Sequence, residues 1–192
     1  MLLFIGLGNP GIKFKNNRHN IGFMVIDNIH KINNFPKFSK KFDSYFSIKN
    51  IFGINLILTK PTTYMNNSGI SISKIKSFYK LDNENIFVFH DEIDLSQNII
   101  KLKTGGGHNG HNGLKSLDNN IGKNYHRIRI GIGKPVIEGS EKKNELVSNW
   151  VLSNFSNFER SNWLNKLIEK ITTNCDSLIN KDFNKFMQKY KG

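Results

Sequence analysis

The stretch Leu2-Leu3-Phe4-Ile5-Gly6-Leu7-Gly8-Asn9-Pro10-Gly11 decides the fold. Residues 2–7 form an apolar run ending in Gly-x-Gly, which predicts a buried strand entering a loop. Downstream, apolar side chains at Ile21, Met24, Val25, Ile29 and Ile32 recur with the helical period and predict a helix over residues 20–32. Strand, loop and helix in that order open an α/β unit, and the alternation continues along the chain. Residues 44–51 and 54–60 read as two strands joined by a tight turn at Gly53. A Pro61-Thr62-Thr63 loop leads to Ser68, read as the cap of a helix running to about Tyr79. Residues 86–89 form a short buried strand ending at His90-Asp91-Glu92, and residues 99–103 form another. A glycine-rich loop from Gly105 to Gly113 opens a helix near Leu114, and residues 128–132 make a last strand. From about Asn144 the pattern turns helical, with Trp163, Leu164, Leu167, Ile168 and Ile171 on one face. These elements predict the α/β class: a single three-layer domain over residues 1–192, with a mixed, largely parallel twisted sheet between helices. The 44–60 hairpin supplies antiparallel pairs.

Composition bounds the function. With 192 residues, 38% of them hydrophobic and 11% aromatic, the chain can bury a full core. Its longest apolar run is too short to span a bilayer, and that run lacks the basic flank of a signal peptide. A single cysteine, Cys175, excludes an internal disulfide and a cysteine zinc cluster. A soluble protein of a reducing, cytoplasmic compartment is expected, with no membrane partner. The 28 basic and 15 acidic residues leave a net charge of +13, which points to a polyanion such as nucleic acid. The chain also lacks alanine and is rich in Asn, Ile and Lys, a pattern that fits drift toward A/T-rich codons and produces lysine without functional need. Arginine remains only at 18, 127, 129 and 160, marking places that need a planar guanidinium.

In open α/β sheets ligands bind at the carboxyl ends of the strands. Asn9, Asn66, Asp91 and the 105–113 loop all follow predicted strands on that side, which suggests one shared site. Gly6 to Gly11 match the G-x-G-x-x-G dinucleotide fingerprint, but Pro10 and further residues intervene before helical periodicity begins. The nearest acidic residue, Asp27, lies within the predicted helix rather than at a strand end. His19 sits where loop becomes helix, and Asp91 on another strand end is its candidate partner. A carboxylate on one imidazole nitrogen fixes the tautomer and leaves the other as a general base. No serine elbow or reactive cysteine accompanies the pair, so the nucleophile would be water. Residues 61–69 offer uncharged amides, either an Asn-rich turn or a grip on a peptide backbone or developing oxyanion. The glycine loop implies unusual dihedrals or close backbone approach. Its His108 and His111 suggest a metal, but no third ligand at metal spacing is visible in the sequence, so none is expected. Arg127 and Arg129 leave one strand face and, with Lys101 and Lys103, form either a clamp for phosphates or a solvated face. A hydrolase, a nucleotide-cofactor oxidoreductase and a non-enzymatic RNA-binding module all remain open on these residues.

Taken together, Gly6-Leu-Gly-Asn-Pro-Gly11, Arg18-His-Asn20, Pro61-Thr-Thr-Tyr-Met-Asn66, His90-Asp-Glu-Ile-Asp94, Gly105 to Leu114 and Arg127-Ile-Arg-Ile-Gly-Ile-Gly133 resemble the bacterial peptidyl-tRNA hydrolase family, in its order and spacing. The resemblance covers about residues 1–190. It implies a monomeric, metal- and cofactor-independent hydrolase that cleaves the ester between a peptide and the 3′-terminal ribose of tRNA, recycling tRNA from aborted translation. It makes His19 the base that activates water and Asp91 the group that holds it in its basic form. Asn9 would recognise the peptide beside the scissile ester, while Phe14, Tyr64, Asn66 and Asn112 would line the substrate site. Lys103 and one of Arg127 or Arg129 would meet tRNA phosphates. Three departures stand out: Phe14 replaces a usual tyrosine and removes a hydroxyl contact, Asn109 replaces a usual glycine, and Asn17 replaces a usual Thr or Ser.

Overall fold

The computed structural model describes residues 1–135 and 143–190. Strand β1 (Leu2–Gly6) is buried along its whole length, as an unbroken apolar strand covered on both faces should be. It lies at the centre of a seven-stranded sheet of order β2-β3-β4-β1-β5-β7-β6. The strands are β2 (Ser39–Lys41), β3 (Ser44–Ile51), β4 (Ile54–Pro61), β5 (Ile86–Glu92), β6 (Ile100–Thr104) and β7 (His126–Gly131). The central strands β4, β1, β5 and β7 run parallel, and β2, β3 and β6 join through antiparallel pairs. The predicted mixed, largely parallel sheet is therefore observed. Phe52 and Gly53 both take positive φ (53° and 80°), the two-residue turn that matches hairpin twist.

Helices cover both faces. On one side α1 (Ile21–Ile32), α6 (Asn165–Thr173), α7 (Cys175–Ile179) and α8 (Phe183–Gln188) bury Phe4, Phe87, Phe89 and Ile128. On the other, α2 (Ser68–Tyr79) and α3 (Asn112–Ile121) bury Leu3, Ile5, Ile57 and Val88. The alternation of strand side chains sorts these two cores. The layers touch through backbone: a Cβ on Gly22 of α1 would lie 2.2 Å from the Phe89 carbonyl oxygen, and one on Gly6 2.4 Å from that of Gly22. Gly6 of the first motif thus serves helix–strand packing against Gly22, and a short 3-10 turn at Ile12–Phe14 follows the motif instead of the helix a dinucleotide site requires. The carboxy-terminal end packs through Phe186, which is fully buried; Lys191 lies outside the described residues.

Several boundaries differ from expectation. Strand β5 continues through Glu92, so Asp91 is held within the sheet and pairs with β7 rather than following a strand. Ser68 does not cap α2: a 3-10 turn over Met65–Asn67 precedes it, and its hydroxyl donates to the Met65 carbonyl at 3.0 Å. Strand β2 escapes prediction because its three residues, Ser-Lys-Lys, are all exposed and carry no apolar alternation. Strand β7 ends at Gly131, short of the expected residue 132. The helical tail is broken into α4 (Lys143–Leu152), α5 (Asn157–Glu159), a π-helical turn at Arg160–Leu164 and the three helices that follow.

The largest correction concerns the 105–113 loop. Strand β6 is antiparallel to β7, with Thr104 opposite His126, so the loop leaves at the amino end of β7. It then runs back over the sheet to deliver His111 to the carboxyl edge, where His111 caps α3. Gly105, Gly106 and Gly110 take φ of 67°, 95° and 77°, and Asn109 takes 47°, a conformation Asn tolerates better than most residues.

Candidate active site

The carboxyl ends of β4, β1 and β5, three adjacent strands, deliver Asn66, Asn9 and Asp91 to one groove of about 810 Å³. All seven residues singled out in the sequence line it: Asn9, Phe14, His19, Tyr64, Asn66, Asp91 and Asn112. Helix α4 contributes Val147, Ser148, Val151 and Leu152 to one wall.

His19 and Asp91 meet. His19 Nδ1 lies 2.8 Å from Asp91 Oδ1 and 2.9 Å from Oδ2, with both residues buried. His111 Nε2 reaches the same Oδ1 at 3.0 Å. The tautomer of His111 follows from its other nitrogen. Nδ1 accepts from the Gly113 and Leu114 backbone N–H groups at 3.1 and 3.3 Å, so in the neutral ring the proton sits on Nε2 and is donated to Asp91. Burial alone would push the Asp91 carboxyl up, but the His19 and His111 imidazoles, by charge and hydrogen bonding, hold it well below the usual carboxylate range. An ionised carboxylate only accepts, so His19 carries its proton on Nδ1 and turns an Nε2 lone pair outward. Next to them, His90 is lowered to about 3, first by burial and then by the neighbouring His111.

His19, Asp91 and His111 place ligand-type atoms within 4.8 Å of one another, supplying the third convergent group that the sequence did not reveal. The donor set nonetheless fits hydrogen bonding better than a cation. Metal ligation through His111 Nε2 would move its proton to Nδ1, directly against two backbone N–H donors.

Asn9 is locked from both ends. Its N–H donates to Asn20 Oδ1 and its carbonyl accepts from Asn20 Nδ2, both at 2.9 Å. Its Oδ1 accepts from Met65 N–H at 2.8 Å, which leaves the Nδ2 donor for a ligand. Asn66 and Asn112 are exposed on the groove. Phe14 and Tyr64 meet edge to face at 6.4 Å, and Tyr64 takes φ 60° and ψ 163°, a backbone region usually left to glycine.

The basic strand face divides. Lys103 stands opposite Arg127 and Lys101 opposite Arg129, as expected for one face. Arg127, however, is 2% exposed and donates to Asp118 Oδ1 at 2.9 Å and to the Gly107 carbonyl at 2.7 Å. The returning loop roofs it, so it is an internal ion pair and not a phosphate contact. Arg129 Nε bonds Glu92 Oε2 at 3.0 Å, and Lys103 stays exposed. Sequence reasoning missed His111 as a partner of Asp91 and Asn20 as the clamp on Asn9. The adjacency of Asn20 to His19 was the only available signal for the latter.

Comparison with known proteins identifies the family. The family described as peptidyl-tRNA hydrolase matches residues 3–192. A peptidyl-tRNA hydrolase of Bartonella bacilliformis is 47% identical over 189 residues, covering 98% of this chain and 94% of that protein. One from Rickettsia bellii is 44% identical, covering 98% and 99%. The crystal structure of peptidyl-tRNA hydrolase from Acinetobacter baumannii superposes with a TM-score of 0.90 at 37% identity, over 100% of this chain and 95% of that one. A groove built on an imidazole–carboxylate pair, on a sheet shared with these enzymes, leads to one assignment: the chain belongs to the peptidyl-tRNA hydrolase family and is a hydrolase.

Proposed function

We propose that the groove hydrolyses the ester between the carboxyl of a peptide or other N-blocked aminoacyl group and the 3′-terminal ribose of tRNA, using water activated by the His19–Asp91 pair. The observation that carries this reading is the 2.8 Å contact of His19 Nδ1 with a carboxylate held ionised inside the groove. His19 Nε2 takes a proton from water as it attacks the ester carbonyl, and returns it to the departing ribose oxygen. Asp91 holds the tautomer and stabilises the imidazolium formed between these steps. Asn9 Nδ2, the one amide hydrogen pair of that side chain left to a ligand, reads the acyl group. The Asn66 and Asn112 amides bind the peptide backbone or the oxyanion. Phe14 and Tyr64 form an aromatic edge for the 3′ end of the tRNA, and exposed Lys103 with Arg129 meets phosphate. Phosphate contacts give sequence-independent affinity, which suits an enzyme that accepts many tRNAs. In this role the protein acts as a cytoplasmic monomer that recycles tRNA from aborted translation.

A positioned base contributes roughly 10² to 10⁴ in rate, and an oxyanion donor about 10² to 10³. The test is release of the acyl group from N-acetylaminoacyl-tRNA by the parent protein and by His19→Ala. The variant is expected to bind tRNA with near-parental affinity and to turn over at least about 10²-fold more slowly. Near-parental turnover overturns the assignment, and salt-sensitive tRNA binding without cleavage by the parent makes the protein a binding module.

A further inference from the structure

Four arginines stand among 28 basic residues in a chain whose composition favours lysine, and three have partners already described or lie at the surface: Arg127 on Asp118, Arg129 on Glu92, and Arg160 on Asn16 at 2.6 Å. Arg18 is the fourth. It is 5% exposed, directly precedes His19, and takes no part in the chemistry proposed above. Its Nη2 donates to Glu159 Oε1 at 2.8 Å and Oε2 at 2.9 Å. Its Nη1 donates to Ser153 Oγ at 2.8 Å and to the Asn154 carbonyl at 2.6 Å. The guanidinium carbon lies 3.8 Å from the Trp150 ring centre and 5.2 Å from that of Phe155. The backbone repeats the connection: Arg18 N–H donates to the Ser153 carbonyl and Phe155 N–H to the Asn16 carbonyl, both at 3.0 Å, around an Asn17–Asn154 bridge.

We infer that Arg18 is a positioning residue for the hydrolytic reaction, setting the turn that carries His19 relative to the α4 wall of the groove; this rests on the reading of His19 as the base. Residues 18–20 form a single 3-10 turn whose own hydrogen bonds are few, so its placement comes from outside. One guanidinium supplies it. Trp150, in the last turn of α4, is stacked on Arg18 and donates through Nε1 to the Gly133 carbonyl at 2.9 Å, while Val147, Ser148 and Val151 of the same helix line the groove. Glu159, the counter-charge, is fixed in turn by the Ser156 N–H at 2.7 Å and by Gln97 Nε2 at 2.9 Å. The planar fork is needed because its donors leave in two directions in one plane while its face packs on an indole. A lysine ammonium at the same place keeps the charge and loses both properties. The imidazole and the α4 wall of the groove therefore share one rigid reference.

The test uses Arg18→Lys and Glu159→Gln. Arg18→Lys keeps the charge on a somewhat shorter side chain, and glutamine keeps the length of Glu159 and the reach of its helix-capping contact to Ser156. Each variant is measured for thermal midpoint and for kcat and KM on N-acetylaminoacyl-tRNA, beside His19→Ala. Misplacing a reacting group by about 1 Å costs about 10²-fold, so kcat is expected to fall roughly 10- to 100-fold in folded protein, with KM changed less than about threefold. A lowered midpoint with kcat per folded molecule within about twofold of the parent makes Arg18 only a stabilising contact and overturns the inference. If Arg18→Lys does not fold, Glu159→Gln decides by the same criteria. Loss of turnover in His19→Ala with parental turnover in both other variants refutes the positioning role alone. Parental turnover in His19→Ala removes the reading beneath it.

Discussion

Replacing Asp91 by asparagine tests the proposed chemistry where the geometry leaves least freedom. Asp91 accepts from His19 Nδ1 at 2.8 and 2.9 Å and from His111 Nε2 at 3.0 Å. The last bond cannot be reversed, because His111 Nδ1 is committed to two backbone N–H groups. An asparagine must keep its carbonyl at the Oδ1 position and turn its amide nitrogen to the Oδ2 position, 2.9 Å from His19 Nδ1. A donor there favours the His19 tautomer with its lone pair on Nδ1 and its proton on Nε2, the nitrogen that must receive the proton of water. The carbonyl at the Oδ1 position, 2.8 Å from His19 Nδ1, competes for that proton, so the base is weakened by the shifted tautomer and by the lost charge although no heavy atom has moved. A positioned base is worth about 10² to 10⁴, and the same tautomer trap in a Ser-His-Asp triad costs about 10⁴. Single-turnover release of acetylated amino acid from N-acetylaminoacyl-tRNA is therefore expected to slow by about 10² to 10⁴, with tRNA affinity retained. Folded Asp91→Asn reacting within about twofold of the parent would show that the carboxylate does not set the tautomer, and the argument from His111 would fail with it.

Three further outcomes follow from buried groups and strain. His90 titrates at about 3 in the fold against 6.5 for a free imidazole. The unfolded chain therefore binds the extra proton, and this contribution, full above pH 6.5, is lost as pH falls toward 3. By pH 4.5 the loss is roughly 2–3 kcal/mol. His90→Asn should flatten that limb in urea titrations at pH 7 and 4.5; an unchanged difference between the two pH values refutes the assignment. Arg127→Met should cost about 3–5 kcal/mol by leaving the buried Asp118 carboxylate without its counter-charge, with the salt dependence of tRNA binding unchanged, whereas Lys103→Met should leave stability intact and reduce the log–log salt slope by about one. The reverse pattern returns Arg127 to the phosphate clamp. Tyr64→Gly should relieve about 1–3 kcal/mol of backbone strain against a glycine entropy cost of roughly 0.5–1. Its thermal midpoint should rise while KM for tRNA worsens through loss of the ring, and a lowered midpoint contradicts stored strain.

What could be seen in the sequence is what local periodicity carries. The run at residues 2–7, the period from Ile21 to Ile32 and the Gly53 hairpin each state their structure within about a dozen residues, and each is observed. The convergence of Asn9, Asn66 and Asp91 was also legible, since they lie beyond or at the carboxyl ends of adjacent parallel strands. Boundaries were harder to place. His90-Asp91-Glu92 are polar and read as the end of a strand, yet each is buried and pairs in register with residues 129–131 of β7. Buried carboxylates remain in a sheet when tertiary partners satisfy them: Asp91 meets His19 and His111, 72 and 20 positions away, and Glu92 meets Arg129, 37 positions away. No window-based reading includes them.

The basic strand face shows a different limit. Alternation states that Lys101, Lys103, Arg127 and Arg129 share one side, but not what covers that side. A loop leaving a parallel strand would have started at the active-site edge and left the lysine–arginine face open. Because β6 runs antiparallel, the loop must cross the whole face to return, and in crossing it roofs Arg127 and carries His111 to Asp91. One strand direction therefore decides two facts together: Arg127 is withdrawn from phosphate, and the Asp91 carboxylate gains a second imidazole. Glycine density in the loop is the local trace of that crossing, since backbone laid close over a sheet needs positive φ at Gly105, Gly106 and Gly110. The sequence showed the strain and not the route, because a route is set by strand pairing between segments distant along the chain. Arg127→Met separates the two consequences: it should unseat the loop through Gly107 and Asp118, and so slow turnover through His111 without changing how many phosphates the protein neutralises.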